Sequence, residues 1–184
     1  MPPFYTAEGD HGDTGYLGKG RISKSSLRIE AVGCVDEANA AIGLARALSV
    51  DENTKATLFE IQRHLYVLMS ELSASPDVAS QFDQLDQGYL VWLEGQIEAL
   101  EESIDLPREF IVPGSSPASG ALDLARTIVR RAERRTVAML EADLIEKRLL
   151  AVYLNRLSSL LFVLEVNESL VSGHDLQFSK RSKG

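Results

Sequence analysis

Residues 118–142 read ASGALDLARTIVRRAERRTVAMLEA, and this stretch decides the fold. It holds no proline and follows a Pro/Ser/Gly-rich connection from Leu106 to Pro117. Leu124, Ile128, Val129, Ala132 and Met139 recur at the steps of an amphipathic helix. Ser116 or Ser119 stands where an N-cap belongs, so the helix is expected to run from there to residue 142. Five arginines fall within 126–135. At about 100° per residue, Arg126, Arg130 and Glu133 share an arc of roughly 60° beside the apolar seam. A cation there needs a partner or a ligand, because desolvating it alone is costly. Guanidinium groups suit phosphate or carboxylate. The alternative is a solvated face with internal pairs to Glu133.

Working outward, prolines stand only at positions 2, 3, 76, 107, 113 and 117, which leaves long stretches free for helices. Val35, Ala38, Ile42 and Ala45 predict a helix over 35–49. Leu58, Ile61, Leu65, Leu68 and Leu72 predict one over 52–75. Leu85, Tyr89, Trp92, Ile97 and Leu100 predict a third over 84–104, and 146–171 forms the last. Strand alternation is absent except briefly around Ile111. The reading is an all-α, five-helix antiparallel bundle in a single domain spanning 1–184. Within it, 1–33 is a glycine-rich loop, 34–171 the helical bundle and 172–184 a flexible tail.

The 184 residues carry 19 Lys and Arg against 27 Asp and Glu, a net charge of −8. That excludes a general nucleic-acid binder, which needs a basic face. The charge is unevenly spread: 36–109 is net −11, whereas 19–28 and 126–135 are each net +4, which leaves room for a small polyanion. No apolar run approaches the ~20 residues of a membrane span, and the N-terminus lacks a signal-peptide pattern. Cys34 is the only cysteine. A cytoplasmic protein that engages neither membrane nor nucleic acid is expected. His11, His64 and His174 are too scattered for a zinc site.

Four other features carry candidate chemistry. Tyr5 to Gly15, YTAEGDHGDTG, spaces glycines so that backbone amides can form an anion nest. Lys19, Arg21, Lys24 and Arg28 follow closely. Asp36-Glu37 sit at the expected start of the first helix, where acids complement the dipole; a role opposite a seam arginine is the sharper reading. Asn155, inside an apolar helix, is a packing hydrogen-bonder or a ligand contact. Phe110, before the Pro113-Gly114 turn, is core or the wall of a site.

In order and spacing, YTAEGDHGDT, VGCVDEANAAIG, FIVPGSSPASGALDLARTIVRRAERRTVAM and YLNRLSSLLFVL resemble the PduO-type ATP:cob(I)alamin adenosyltransferases. The resemblance spans residues 5 to 168. It implies a homotrimer of five-helix bundles with active sites between subunits. It implies transfer of the 5′-deoxyadenosyl group of ATP to cob(I)alamin, with release of triphosphate. ATP contacts carry over to the 1–33 loop at Thr6, Ala7, Glu8, Gly9, Asp10, Gly12, Thr14 and Gly15. Lys24 is implied to reach the phosphates, Arg130, Arg131, Glu133 and Arg134 to surround ATP, and Asn155 to contact the nucleotide. The catalytic set implied is Arg130, an Asp36–Arg126 pair across the interface, and Phe110, which faces the corrin and displaces its lower axial ligand. Magnesium enters with ATP through its phosphates, with Glu133 the candidate protein contact, and cobalamin is a substrate. A reductase and an adenosylcobalamin-dependent enzyme are the further partners implied.

The chain departs from the family pattern at three places. Ala7-Glu8 stand where a basic residue and threonine are common, and Ser25-Ser26 replace two acids. Both bear on nucleotide affinity. Glu165-Val166 replace an Ala-Arg pair, which bears on the corrin side or a surface contact. A binding module that has lost catalysis, and a structural bundle whose arginines bridge subunits, are the competing readings.

Overall fold

The computed structural model describes residues 7–179. Five long helices follow in order: α1 (Leu27–Leu48), α2 (Glu52–Ser73), α3 (Gln87–Glu101), α4 (Pro117–Glu141) and α5 (Leu149–Val171). The all-α five-helix bundle is therefore as expected. α4 lies at its centre, packed against α1 on one side and α5 on the other; α2 backs α1, and α3 backs α5. The neighbouring pairs α1/α2 and α4/α5 are joined by short connections and so run antiparallel. Ala38, Ile42, Leu65, Leu122, Val129, Tyr153 and Leu161 lie in the buried core between them.

Capping sets the helix starts. Ser26 caps α1 by accepting from the Ile29 amide, Asp51 caps α2 and Asp86 caps α3. At α4, Ser116 and Ser119 hydrogen-bond reciprocally in a capping box, so both expected candidates take part.

Several expectations are corrected. α1 begins at Leu27, two turns before residue 35, so helix already occupies the end of the expected 1–33 loop. The concealing residue is Arg28, a cation at a seam position and only 5% exposed. Its guanidinium donates to Leu72 O (2.6 Å), Ala74 O (3.0 Å) and Leu144 O (2.8 Å). These bonds satisfy carbonyls at the C-terminus of α2 and in the α4–α5 connection. Arg28 is thus not a phosphate ligand. Arg28→Met is expected to cost about 2–4 kcal/mol of stability in urea denaturation, because buried carbonyls lose their donors. Asp36 and Glu37 lie in the third turn of α1, beyond reach of its dipole end.

Leu124, expected in the apolar arc, is exposed. α5 is long and apolar enough to cross a membrane by length and composition, contrary to the sequence reading, but most of it is buried inside the bundle.

Short strands complete the fold: β1 (Asp13–Gly15), β2 (Arg21–Ser23), β3 (Ile111–Val112), where a brief strand was expected, and β4 (Gln177–Phe178). β1 and β2 form an antiparallel hairpin in which Thr14 faces Ile22. Leu17, at its turn, exchanges backbone hydrogen bonds with Ser73 and Ser75 at the end of α2. Gly18 has φ +120°, and a Cβ there would fall 1.8 Å from Ser75 Oγ, so only glycine fits this approach.

β4 pairs antiparallel with β3, Ile111 opposite Phe178. Within the expected flexible tail, Gln177–Phe178 therefore form a short strand, whose backbone groups complete the edge of β3.

Candidate functional site

The N-terminal loop is built from tight turns. Ala7 adopts φ 58° and Gly12 φ 85°. The amides of Asp10 and Gly12 donate to Ala7 O and Gly9 O, so these two are spent on the turns and do not face an anion. Lys24, at the end of the hairpin, reaches back over the loop and donates from Nζ to Gly9 O at 2.7 Å. An ammonium has three donors, so two stay available for phosphate.

Arg21 binds the Asp13 carboxylate with two nitrogens (2.9 and 3.0 Å) and donates to Glu8 O at 2.8 Å. Hydrogen bonding to Arg21 holds the Asp13 carboxyl below the usual carboxylate range. Glu8, the departure from the family pattern, forms an ion pair with Arg21 at 3.3 Å. Its charge is thereby offset within the loop. Thr14 and Gly15 lie on β1. Ser26 is the α1 cap, and Ser25 hydrogen-bonds Ser23, so both serines serve the start of α1. Thr6, an expected ATP contact, lies outside the described residues.

On α4 and α5 the structure brings three expected residues together. Arg130 donates to Glu133 Oε2 at 2.5 Å, and Asn155 donates to Glu133 Oε1 at 3.0 Å. One carboxylate thus orients a guanidinium and an amide side by side. Glu133 is a single acid, and no cluster of three metal-ligating side chains occurs among the described residues. That donor set fits magnesium held mainly by phosphates and water.

Arg131 pairs with Glu37 of α1, and Arg135 with Glu30 at 3.4 Å. Arg134 is exposed and makes no ion pair among the described residues. Within the chain Arg126 is held by Asp123, through Nε (2.8 Å) and a terminal nitrogen (2.6 Å). Asp36 is exposed without an ion pair among the described residues.

Two cavities flank Arg126. One, of about 410 Å³, includes Phe110, Ile111, Asp123, Arg126, Phe162 and Glu165 in its wall. The other, of about 350 Å³, includes Arg126, Arg130, Ser158, Ser159 and Phe162. Phe110 is 86% exposed, which excludes the core reading. Its backbone is pinned, because its carbonyl accepts from the Ser179 amide at 2.8 Å.

Sequence reasoning missed Asp123 and Phe162. The signals were an acid three residues before Arg126 and the one phenylalanine on the Leu/Val-rich α5. His64 is structural. It hydrogen-bonds Tyr153 at 3.0 Å and packs edge-on against Tyr89 and Trp92. Burial pushes its pKa down, outweighing the opposing pull of Glu60.

Glu165 is 1% exposed, so it is no surface contact. Burial pushes its carboxyl up to about 7; Asp123 adds to the rise and Arg126 opposes it. The folded protein therefore keeps a proton that the unfolded chain has already released between pH 4.5 and 7, and stability falls across that window. Glu165→Gln never ionises. Its melting temperature is expected to match the native protein near pH 4.5 and exceed it by about 4 °C or more at pH 8. Parallel melting curves in the two buffers check this.

Comparison with known proteins follows the same lines. The family model for cobalamin adenosyltransferase matches residues 4–168. A corrinoid adenosyltransferase of Mycobacterium tuberculosis is 41% identical over 166 residues, covering 88% of this chain and 86% of the relative. One from Bacillus subtilis is 41% identical over 164 residues, covering 86% of this chain and 82% of the relative. Among solved structures, a variant of a PduO-type ATP:corrinoid adenosyltransferase from Lactobacillus reuteri, complexed with cobalamin and ATP, is similar with a TM-score of 0.87. It is 30% identical and covers 98% of both chains.

Proposed function

This chain belongs to the cobalamin adenosyltransferase family, and from that premise we propose that it transfers the 5′-deoxyadenosyl group of ATP to cob(I)alamin, forming adenosylcobalamin and releasing triphosphate. It is an ATP:corrinoid adenosyltransferase of the PduO type. The finer reading concerns the form of cobalamin, the leaving group and the residues. The observation that carries it is the shared wall: Arg126 and Phe162 border both the Phe110 cavity and the Arg130 cavity. A corrin against Phe110 and a nucleotide at Arg130 would lie on either side of one boundary, as direct transfer requires.

Cobalt(I) is itself the nucleophile, so no activated serine or cysteine is needed. Its electron pair forms the Co–C bond to the 5′-carbon as the C–O bond breaks, and triphosphate leaves with the C–O bonding pair. The chain's own work is positioning and electrostatics. Lys24, Arg130, Arg131 and Arg134 offset the charge of the leaving triphosphate. Glu133 holds Arg130 and Asn155 in register against the nucleotide. Magnesium, when bound with ATP, neutralises phosphate charge, and Glu133 is the residue that would hold it. Phe110 offers an apolar face that keeps water and the displaced base from the lower axial position, which eases reduction to Co(I).

The active site is proposed to form between subunits of a homotrimer. In support, the bonds of Lys24, Arg21 and Gly9 stay within the loop and hairpin, whereas those of Arg130, Glu133 and Asn155 stay between α4 and α5. Asp36 is left exposed for the proposed pair with Arg126 of a neighbour. Adenosyl transfer supplies no electrons, so a reductase must deliver the Co(I) form, and an adenosylcobalamin-dependent enzyme would take the product. A cytoplasmic site of action is part of the same proposal and rests on composition and the single buried thiol of Cys34.

The test is anaerobic incubation with ATP, magnesium and chemically reduced cobalamin, followed by the absorbance change to adenosylcobalamin. Product formation is expected. Binding of both ligands without product would favour a module that has lost catalysis, and absence of ATP binding would favour a structural bundle.

A further inference from the structure

Glu165 is the buried group that the reaction leaves unexplained. It lies on the most apolar helix of the bundle, between Leu164 and Val166, both buried. Its Oε2 is sealed from solvent and has no hydrogen-bond partner. A buried carboxyl without a partner is costly. The adjacent cation does not relieve it, because Arg126 gives its Nε and a terminal nitrogen to Asp123. Yet Glu165 lines the cavity that holds Phe110 and Phe162. Glu165 thus carries an unpartnered carboxyl oxygen beside a cavity that its residue borders, and a turn about its side-chain torsions would bring that oxygen to a ligand there.

We propose that Glu165 contacts the corrinoid directly, hydrogen-bonding a primary amide on the rim of the corrin ring, and that it selects corrinoids carrying an amide at that position. The inference rests on the reading that cobalamin occupies the Phe110 cavity. The rim of cobalamin is lined with primary amides, each presenting an NH₂ donor and a carbonyl acceptor. A protonated carboxyl meets both atoms, and an ionised one still accepts from the NH₂. Burial keeps the carboxyl partly protonated near neutral pH. A rim carboxylate in place of the amide offers no NH₂ and repels ionised Glu165. Phe110 would then set the face of the ring, and Glu165 its rotation about the cobalt axis.

The experiment uses the full-length protein with ATP and magnesium. It measures dissociation constants for cob(II)alamin and for a panel of its monocarboxylates, each with one rim amide hydrolysed. The native protein is expected to disfavour one member of the panel by about tenfold. Glu165→Gln replaces the carboxyl with an amide that donates to a carboxylate. It is expected to keep cobalamin affinity within about threefold and to erase the penalty for that one member. Glu165→Ala is expected to weaken cobalamin binding by about tenfold with ATP affinity unchanged, and unchanged ATP affinity also reports intact folding.

If Glu165→Gln ranks the panel as the native protein does, the inference is overturned while the adenosyltransferase reading stands. The same holds if Glu165→Gln dissociates the oligomer and leaves the ranking unchanged, which would make Glu165 an assembly residue. If the native protein binds no corrinoid, both fall together.

Discussion

Arg130→Ala is expected to lower turnover by about 100- to 1000-fold. In the proposed transfer, the triphosphate leaving group gathers negative charge as the C–O bond breaks. A fixed guanidinium is worth most at that moment, because its orientation is already set by Glu133 at 2.5 Å. The substitution also leaves the Glu133 carboxylate held only by Asn155, so an uncompensated negative charge would then face the phosphates. Arg130→Lys is expected to recover only part of the loss, since a point charge cannot reproduce the planar fork. The fold should not suffer. The Arg130–Glu133 pair is half-exposed on the arginine side, and such pairs contribute at most about 1 kcal/mol. Steady-state kinetics beside a thermal melt separate the two effects. Normal turnover in Arg130→Ala would remove the role assigned to this arginine.

Phe110→Ala is the second large effect, and its contrast with a core substitution makes it informative. A buried phenylalanine cut to alanine costs about 3–5 kcal/mol. Phe110 is 86% exposed and held only by its backbone, so its loss is expected to change stability by no more than about 0.5 kcal/mol. On the proposed corrin-facing role, turnover is expected to fall by about 100-fold, because the lower face of the corrin would lose its apolar cover and the ring its seat. ATP affinity should be unchanged. A large drop in melting temperature would instead mark Phe110 as a structural residue.

Much of the fold was legible in periodicity. The seam of Val129 and Ala132 on α4, and of Leu58, Ile61 and Leu65 on α2, follows from the 3.6-residue repeat, and the Ser116/Ser119 box marks the start of α4. Arg28 shows where periodicity stops. It occupies a seam position as a cation, because its partners are the end carbonyls of α2 and Leu144 O, 116 residues away. No local pattern announces such a bond. β3 is the brief strand expected around Ile111, but β1, β2 and β4 escaped for another reason: two or three residues are too few to show alternation, and β4 is a strand only because β3 lies beside it.

The site was legible as residue types and not as partners. Arg130, Glu133 and Asn155 carry their chemistry in the sequence, and α4 and α5 bring them together. Arg126 was expected to need an acid, but its in-chain partner is Asp123, one turn away on the same helix. Phe162 reads as one more apolar residue of α5 until the cavities on both sides of it are seen. Glu165 was visible as a departure from the family pattern, whereas its burial depends on the packing of α5 between α4 and α3.

The most direct measurement is the stoichiometry of products in an anaerobic single turnover, with adenosylcobalamin read by absorbance and phosphorus products by ³¹P NMR. Direct attack of cobalt on the 5′-carbon predicts one triphosphate for each adenosylcobalamin formed, with no ADP and no pyrophosphate released ahead of it. Adenosylcobalamin appearing with pyrophosphate and phosphate as primary products, or ATP consumed with no Co–C bond formed, would contradict it.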